Sequence, residues 1–213
     1  MKRSTAVRHL WEMAEECTDL NARCAVIDST LRVTSFWAFG PVIDPPETWP
    51  GDREWVDAAI AVTLPEAELP WFGRPREVVW LASLLRWDRR PVLATWRADQ
   101  VPVWNHHVER PLLLWDAAGL RPAAGQALGD GIGLEQHRTP APTAAALRER
   151  LEREIAVSRE AMSRAAAGYD EHRWGRVDPR KYAEPLWEAT AGYLDLLGAT
   201  GFRTGRREDS ADP

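Results

Sequence analysis

The sequence predicts an α+β protein, α/β-like in its element order, with an N-terminal helix, a mixed β-sheet of about five strands with a middle helix, and a C-terminal pair of long helices. Three observations predict this class. Apolar residues recur at helical spacing near the N-terminus, they do so again after residue 143, and two apolar runs at 31–39 and 56–64 are typical of buried strands. A chain of 213 residues, 45% hydrophobic and 28% charged, is long enough to bury a core without disulfides or metals.

The first two elements follow from residue spacing. A helix is predicted over 4–21, because its apolar residues fall on one stripe and most of its charges lie opposite. The stripe consists of Val7, Leu10, Trp11, Ala14, Cys17 and Leu20. A central strand is predicted at 31–39, since both of its faces become apolar towards its end. Gly40 and Pro41 end this strand before a proline-rich loop.

The middle of the chain predicts one more buried strand, one helix and several short strands. The strand at 56–64 is closed by Pro65, and Pro75 suits the first position of a helix that runs to about Trp87. Beyond this helix, the sequence predicts a small antiparallel meander of three extended pieces, at 91–98, 101–107 and 111–117.

Composition predicts the domain organisation. Residues 119–142 are rich in Ala, Gly and Pro, so we predict a linker there between an α/β sheet domain at 1–118 and a helical hairpin or bundle at 143–200. The segment GDGIG at 129–133 lacks the spacing and the preceding strand of a phosphate-binding loop and is assigned to this linker. The polar tail at 201–213 is predicted to be disordered.

The C-terminal region predicts two helices. Residues 143–168 repeat apolar side chains at helical spacing, with paired charges on the other face. Asp178 and Pro179 form an N-cap and first-turn signal for a last helix that runs through Leu197. Pro185 lies inside this helix and is expected to kink it or to reset its start.

Charge and cysteine content exclude several classes of function. A net charge of −5 and a pI near 5.6 argue against general nucleic-acid binding, which requires a basic surface. The sequence shows no apolar run long enough to cross a membrane and no signal peptide, so we expect a cytoplasmic protein. Cys17 and Cys24 have no zinc-type spacing and are expected to be reduced and buried. No metal site and no cofactor are predicted from the residues alone.

One short segment combines groups that could bind a ligand. Trp104, Asn105, His106 and Arg110 place an aromatic plane beside amide, imidazole and guanidinium groups, which suits a planar or anionic ligand. The alternative is a core tryptophan whose polar neighbours cap a turn. In a strand, His106 and His107 would point to opposite faces and could not chelate one ion.

The order of elements, together with Gly40 at a strand end and Asp57 in the next strand, resembles the minimal nucleotidyltransferase family over residues 5–116. In that family an Asp-x-Asp pair and a later acid hold the divalent metals that activate a triphosphate, so the resemblance would imply Mg²⁺ and Asp57 as a catalytic remnant. Pro41 and Ala59 depart from the family pattern, the latter at the second aspartate position. Later acids are available at Asp99 and Asp116, without restoring the pair.

The chain is also similar over nearly its whole length to an uncharacterised family of GC-rich bacteria. The similarity is carried by FWAFG at 36–40, PVWNH at 102–106 and GYLDL at 192–196. It implies no known activity. Three functional hypotheses remain open: a noncatalytic nucleotidyltransferase-like protein that binds an unknown small ligand or protein partner, a module for interaction with another protein or for homo-oligomerisation, and an active metal-dependent nucleotidyltransferase.

Aromatic usage is inverted, with 12 Trp against 4 Phe and 3 Tyr. Ten of the tryptophans precede the predicted linker, and most of them are expected to fill the core of the sheet domain. Trp49 and Trp71 in proline-rich loops, and Trp104 with its polar neighbours, are the tryptophans with a candidate recognition role.

Overall fold

The structure is a computed structural model that describes residues 1–27, 29–84, 86–175, 178 and 180–201. Within these residues the α+β class is confirmed, with five α-helices and one mixed sheet of five strands. The helices are α1 Arg3–Val26, α2 Arg76–Leu84, α3 Pro122–Asp130, α4 Ala144–His172 and α5 Arg180–Ala199. The strands are β1 Val33–Ala38, β2 Val56–Val62, β3 Val92–Ala98, β4 Leu112–Asp116 and β5 Gly119–Leu120.

The sheet has the strand order β3-β2-β1-β4-β5, in which β2 and β3 are parallel and the other neighbours are antiparallel. The predicted meander is therefore wrong, because β3 and β4 lie on opposite sides of the β2–β1 pair. Residues 101–107 form a loop, in which the Asn105 side chain accepts hydrogen bonds from the backbone N–H groups of His107 and Val108 (2.9 and 2.8 Å). These bonds turn the chain and leave no extended segment.

Both faces of the sheet are covered, which explains the continuous apolar character of β2. Its even-numbered residues, from Val56 to Val62, belong to the larger core, to which α1, α2 and α3 contribute buried side chains. Ala59 belongs to a second core on the other face, with Leu151 of α4 and Leu196 of α5. The cysteines of α1 are free and buried as predicted, and burial raises the pKa of the Cys17 thiol.

The segment 119–142, predicted to be a linker, contains regular secondary structure. It contains β5, α3 and a short 3-10 helix at Leu134–His137. The alanines of this segment predicted a linker, but two of them lie on the buried face of α3. Ala124 and Ala127 pack into the larger core there. Gly131, in the GDGIG segment, ends α3 in a left-handed conformation, and its N–H donates to the Ala127 carbonyl (2.8 Å).

The two C-terminal helices are present as predicted, and they lie against each other and against the sheet. Thr143 caps α4 by accepting a hydrogen bond from the Ala146 N–H (3.1 Å), and Pro185 lies within α5. A side chain at Gly192 of α5 would collide with the Trp71 carbonyl, so this helix approaches the backbone of the Trp71 loop closely. The predicted disordered tail lies outside the described residues beyond Gly201.

No described helix combines the length and the apolar character that crossing a membrane requires.

Candidate binding site

Gly40 and Asp57, the two residues that carry the nucleotidyltransferase resemblance, lie in contact. Gly40 has a φ of +71°, and a Cβ atom at this position would lie 2.7 Å from Asp57 Oδ2. Strands β1 and β2 are antiparallel neighbours, so the end of β1 meets the beginning of β2. A side chain at residue 40 would therefore displace the carboxylate, and glycine tolerates the left-handed conformation at low cost.

A guanidinium group lies against the Asp57 carboxylate. Arg53 Nη2 donates to Asp57 Oδ2 at 2.6 Å, and the Arg53 guanidinium lies 6.0 Å from the centre of the Trp49 ring. Burial raises the pKa of Asp57, and the positive charge of Arg53 and the proximity of His107 oppose this shift. The carboxylate is thus charge-paired within the protein.

The acids considered as partners of Asp57 do not join it. Ala59 occupies the next position on the same face of β2, and Asp99 and Asp116 lie at the opposite end of the sheet. Asp116 is paired with Arg121 there. Among the described residues no group of three or more His, Cys, Asp or Glu could hold a metal ion. The arrangement at Asp57 therefore does not fit the two-metal chemistry that the family resemblance implies.

The predicted ligand-binding unit at 104–110 does not form one site. Asn105 is buried and belongs to the turn described above, while its Nδ2 donates to Glu154 of α4 (2.9 Å). Arg110 pairs with Glu135 (2.6 Å). Trp104 lines a separate cavity of about 310 Å³ with residues of β1. For Asn105, the structure therefore agrees with the alternative interpretation, in which the polar neighbours of the tryptophan cap a turn.

His106 and His107 both pack against the Trp71 indole, with ring centres 5.3 and 5.6 Å from it. The expectation that they point to opposite faces fails because they lie in a loop, although no metal group forms there among the described residues. His106 Nε2 lies 3.0 Å from Asp195 Oδ2, which also accepts a hydrogen bond from Trp71 Nε1 (2.7 Å). Trp71 is therefore a buried core residue that links the loops to α5.

A buried charge network that sequence reasoning missed connects the sheet to α4. Glu154 is paired with Arg97 of β3 and with Arg150 (2.9 Å), and Arg150 is paired with Glu66. Burial lowers the pKa of Arg97, and the charge of Glu154 opposes that effect. We call these four residues the Glu154 network. The i,i+4 spacing of Arg150 and Glu154 is visible in the sequence, but nothing there indicates that the pair is buried.

A cleft of about 350 Å³ lies at β3, which is one of the two edge strands of the sheet. We call it the edge cleft. Its lining comprises Phe72, Gly73, Arg74, Leu93, Ala94, Thr95, Trp96, His107, Trp187 and Glu188. Three apolar side chains in this lining are strongly exposed: Phe72 at 45%, Leu93 at 54% and Trp187 at 70%. Large apolar groups grouped in this way are typical of binding sites.

The edge cleft lies beside Asp57, and one of its lining residues, Phe72, has a strained backbone conformation. Leu93 is the register partner of Asp57 across the β2–β3 pair, and His107, which lines the cleft, is close enough to influence the Asp57 carboxyl. Phe72 has a φ of +62°, which is unfavourable for an aromatic residue. Such strained residues concentrate at functional sites, and this one presents its ring at the cleft.

A family model described as a domain of unknown function (DUF7711) matches residues 1–201. No curated protein and no solved structure shows a significant match to the chain.

Proposed function

The chain belongs to the family of the domain of unknown function DUF7711, and we propose that it is a noncatalytic, nucleotidyltransferase-like binding protein. The observation that carries this proposal is the pairing of Arg53 with Asp57 at 2.6 Å. In the family that the chain resembles, divalent metals balance the carboxylates. In this protein a guanidinium balances the single carboxylate, and Ala59 supplies no second one.

The sheet is consistent with such a framework. Gly40, two residues after β1, lies beside Asp57 at the beginning of the neighbouring strand. Ala59 occupies the position of the second family acid, and Asp99 and Asp116 lie at the far end of the sheet, which supports binding without metal-dependent catalysis. We propose that the partner or ligand binds in the edge cleft. Its lining residue Leu93 is the register partner of Asp57, so the cleft lies beside that carboxylate.

Titration calorimetry with Mg²⁺ and each of the four ribonucleoside triphosphates at millimolar concentration, paired with an assay for transfer of labelled nucleotide, tests the noncatalytic part. We expect no transfer and no Mg²⁺-dependent binding, either in the natural protein or in Arg53→Ala, because one carboxylate cannot hold two metals. Transfer that Asp57→Asn abolishes, and that Asp52→Asn at a neighbouring exposed carboxylate leaves intact, would refute it.

Binding at the edge cleft is tested with the neutral dye Nile red, whose fluorescence rises in apolar surroundings. We expect dye fluorescence to fall several-fold in Trp187→Ala, because this side chain forms a wall of the cleft. Trp174→Ala is the matched control, since Trp174 is 84% exposed and lies outside the cleft lining. Equal loss of fluorescence in the two variants would contradict a binding role for the cleft.

A second candidate function is self-association through α5. Trp187 and Leu194 lie seven positions apart on this helix, and both are exposed, Leu194 at 54%. That spacing places them on one side of a helix. Light scattering coupled to size-exclusion chromatography tests this candidate: a dimer that Leu194→Lys converts to a monomer supports self-association, and a monomer at high concentration excludes it.

A further inference from the structure

The edge cleft follows the free side of strand β3. Four consecutive residues, Leu93 to Trp96, line it. Side chains of consecutive strand residues alternate between the two faces of a sheet, so a single cleft reaches all four residues only along the strand edge. The cleft therefore exposes backbone as well as side chains.

The direction of the backbone groups of β3 follows from the hydrogen bonds at its two ends. The Pro91 carbonyl accepts from the Val56 N–H, and the Asp99 N–H donates to the Val62 carbonyl, both at 3.0 Å. In a parallel ladder alternate residues face the same neighbour, so the odd-numbered residues of β3 point to β2. The N–H and C=O groups of Ala94 and Trp96 consequently point to the edge cleft. Within the described part of the chain, no hydrogen bond reaches them.

Strand β3 lacks three common protections of an edge strand against pairing: an outward charge, a proline within the strand and a bulge. Edge strands are commonly blocked by outward charges, by proline or by bulges. The one charged residue of β3, Arg97, is turned inward and buried in the Glu154 network, and Pro91 lies before the strand begins. The register of β3 with β2 is regular over its seven residues. The edge is therefore suited to accept a further strand.

The charge around the cleft restricts what can bind. Arg74, which lines the cleft, is held by Glu188 (2.7 Å from Nε) and by Glu184 (3.3 Å from Nη2). Within the lining the charges of Arg74 and Glu188 balance, while Glu184, which pairs with Arg74 from outside the lining, adds one negative charge and the whole chain carries −5. Complementarity of charge thus favours a neutral or basic partner over an acidic one.

From these observations we propose that the edge cleft binds an extended, neutral or basic peptide segment of another protein, which adds to the sheet as a strand beside β3. The peptide backbone pairs with Ala94 and Trp96, and a large apolar side chain packs against Phe72 and Trp187. Main-chain hydrogen bonds supply affinity in this mode of recognition, and pockets for alternate side chains supply specificity. The inference rests on the proposed binding function and specifies its partner.

The test uses the full-length protein and a library of blocked octapeptides with alternating apolar and polar residues, with fluorescence polarisation as the readout. The best binders are then N-methylated at alternate amides. Alternate N–H groups of a strand point to opposite edges, so methylation of the set that faces β3 should weaken binding about tenfold or more. Methylation of the other set is the matched control, since it keeps the same side chains and should have little effect. Replacing the Lys residues of a binder with Glu should also weaken binding.

Protein variants provide a second, independent arm. Ala94→Pro removes an outward N–H that takes no part in the β2–β3 ladder, a position at which an edge strand tolerates proline. We expect peptide binding to weaken about tenfold in this variant and in Trp187→Ala. Trp174→Ala should bind the peptide normally. The circular dichroism spectrum and thermal midpoint of each variant establish that it is folded. If Ala94→Pro does not fold, the N-methylated peptides still test the proposal with the natural protein.

Three outcomes would overturn the proposal. The first is a library without any binder below about 1 mM, and the second is equal binding of the two N-methylated sets. The third is a dimer in light scattering that Ala94→Pro dissociates, since a second copy of the chain would then occupy the edge. If the peptides fail while Trp187-dependent binding of Nile red persists, the proposed binding function stands and only its peptide partner is excluded.

Discussion

At the scale of single residues, Asp57 shows how a buried carboxylate is held by one partner. Burial raises its pKa, and Arg53 opposes the shift by a direct hydrogen bond to Oδ2. The Arg53–Asp57 ion pair thus lies at the position where the sequence resemblance implies a metal ligand. Ala59 already indicates in the sequence that the second carboxylate is missing, but no pattern identifies Arg53 as the partner, because the pair depends on the turn of a proline-rich loop.

Replacement of Gly40 by alanine should destabilise the protein. The variant combines a positive φ with a Cβ atom 2.7 Å from Asp57 Oδ2, and we expect a loss of about 1–3 kcal/mol in the free energy of unfolding. Urea denaturation measures it. Gly51→Ala is the matched control, since a Cβ atom there meets nothing within 4 Å. If the two variants lose the same free energy, the close contact with Asp57 is not what requires glycine.

The raised pKa of Asp57 predicts a pH dependence of stability. A carboxyl whose pKa is higher in the folded state than its ordinary value of 3.8 favours folding below that pH, and this contribution is lost as the pH rises through the folded-state pKa. The free energy of unfolding of the natural protein, relative to Asp57→Asn, should therefore fall as the pH is raised from about 3 to 7. Urea denaturation over that pH series measures it, and a difference that stays constant or rises would contradict it.

At the scale of elements, the Glu154 network and the Trp71 loop hold α4 and α5 on the sheet. The Ser158 hydroxyl of α4 accepts a hydrogen bond from the Trp71 N–H (3.1 Å), and Asp195 of α5 accepts one from the Trp71 indole (2.7 Å). These contacts join residues that are 87 and 124 positions apart in the sequence. Local periodicity predicts each helix, but it cannot predict which residues of distant elements become buried partners.

Glu154→Ala should cost about 3–5 kcal/mol in the free energy of unfolding, because it leaves the buried Arg97 and Arg150 without their shared counter-charge. Chemical denaturation measures this loss. Glu149→Ala, an exposed glutamate on the same helix, is the control and should change stability by about 0.5 kcal/mol or less. A loss as small as that of the control would mean that the network does not hold α4 in place.

The loop at 101–107 and helix α3 show where element prediction fails. The loop has the apolar and aromatic composition of a strand, yet the Asn105 carboxamide takes the N–H groups that a strand would need. The α3 region has the composition of a linker, yet its small side chains allow close packing against the core. In both cases a tertiary contact overrides local composition, while the long helices α1, α4 and α5 agree with their strong periodicity.

At the scale of the whole molecule, the sheet is a layer shared by two cores. Helices α1, α2 and α3 contribute to the core on one face, and α4 and α5 contribute to the core on the other. The composition of residues 119–142 predicted a linker between two domains. In the structure, Phe39 and Ala59 of the sheet region share a core with Leu151 and Leu196 of the C-terminal helices. This shared core favours folding as one unit.

Equilibrium unfolding should accordingly show one transition. Ten of the twelve tryptophans precede residue 119, so intrinsic fluorescence reports mainly on the sheet region, and far-ultraviolet circular dichroism reports on the helices, including α4 and α5. We expect urea curves from the two probes to coincide, as for a single cooperative unit. Separate midpoints would show that the C-terminal helices form an independent domain.

The sheet order also has a consequence for synthesis on the ribosome. Strand β1 pairs on one side with β2, which follows it closely, and on the other side with β4, roughly 75 residues later. At elongation rates of about 5–20 residues per second, β1 waits roughly 4–15 s for that second partner. During this interval an apolar central strand is an unpaired edge in the nascent chain. Expression should therefore benefit from chaperones that act on emerging chains.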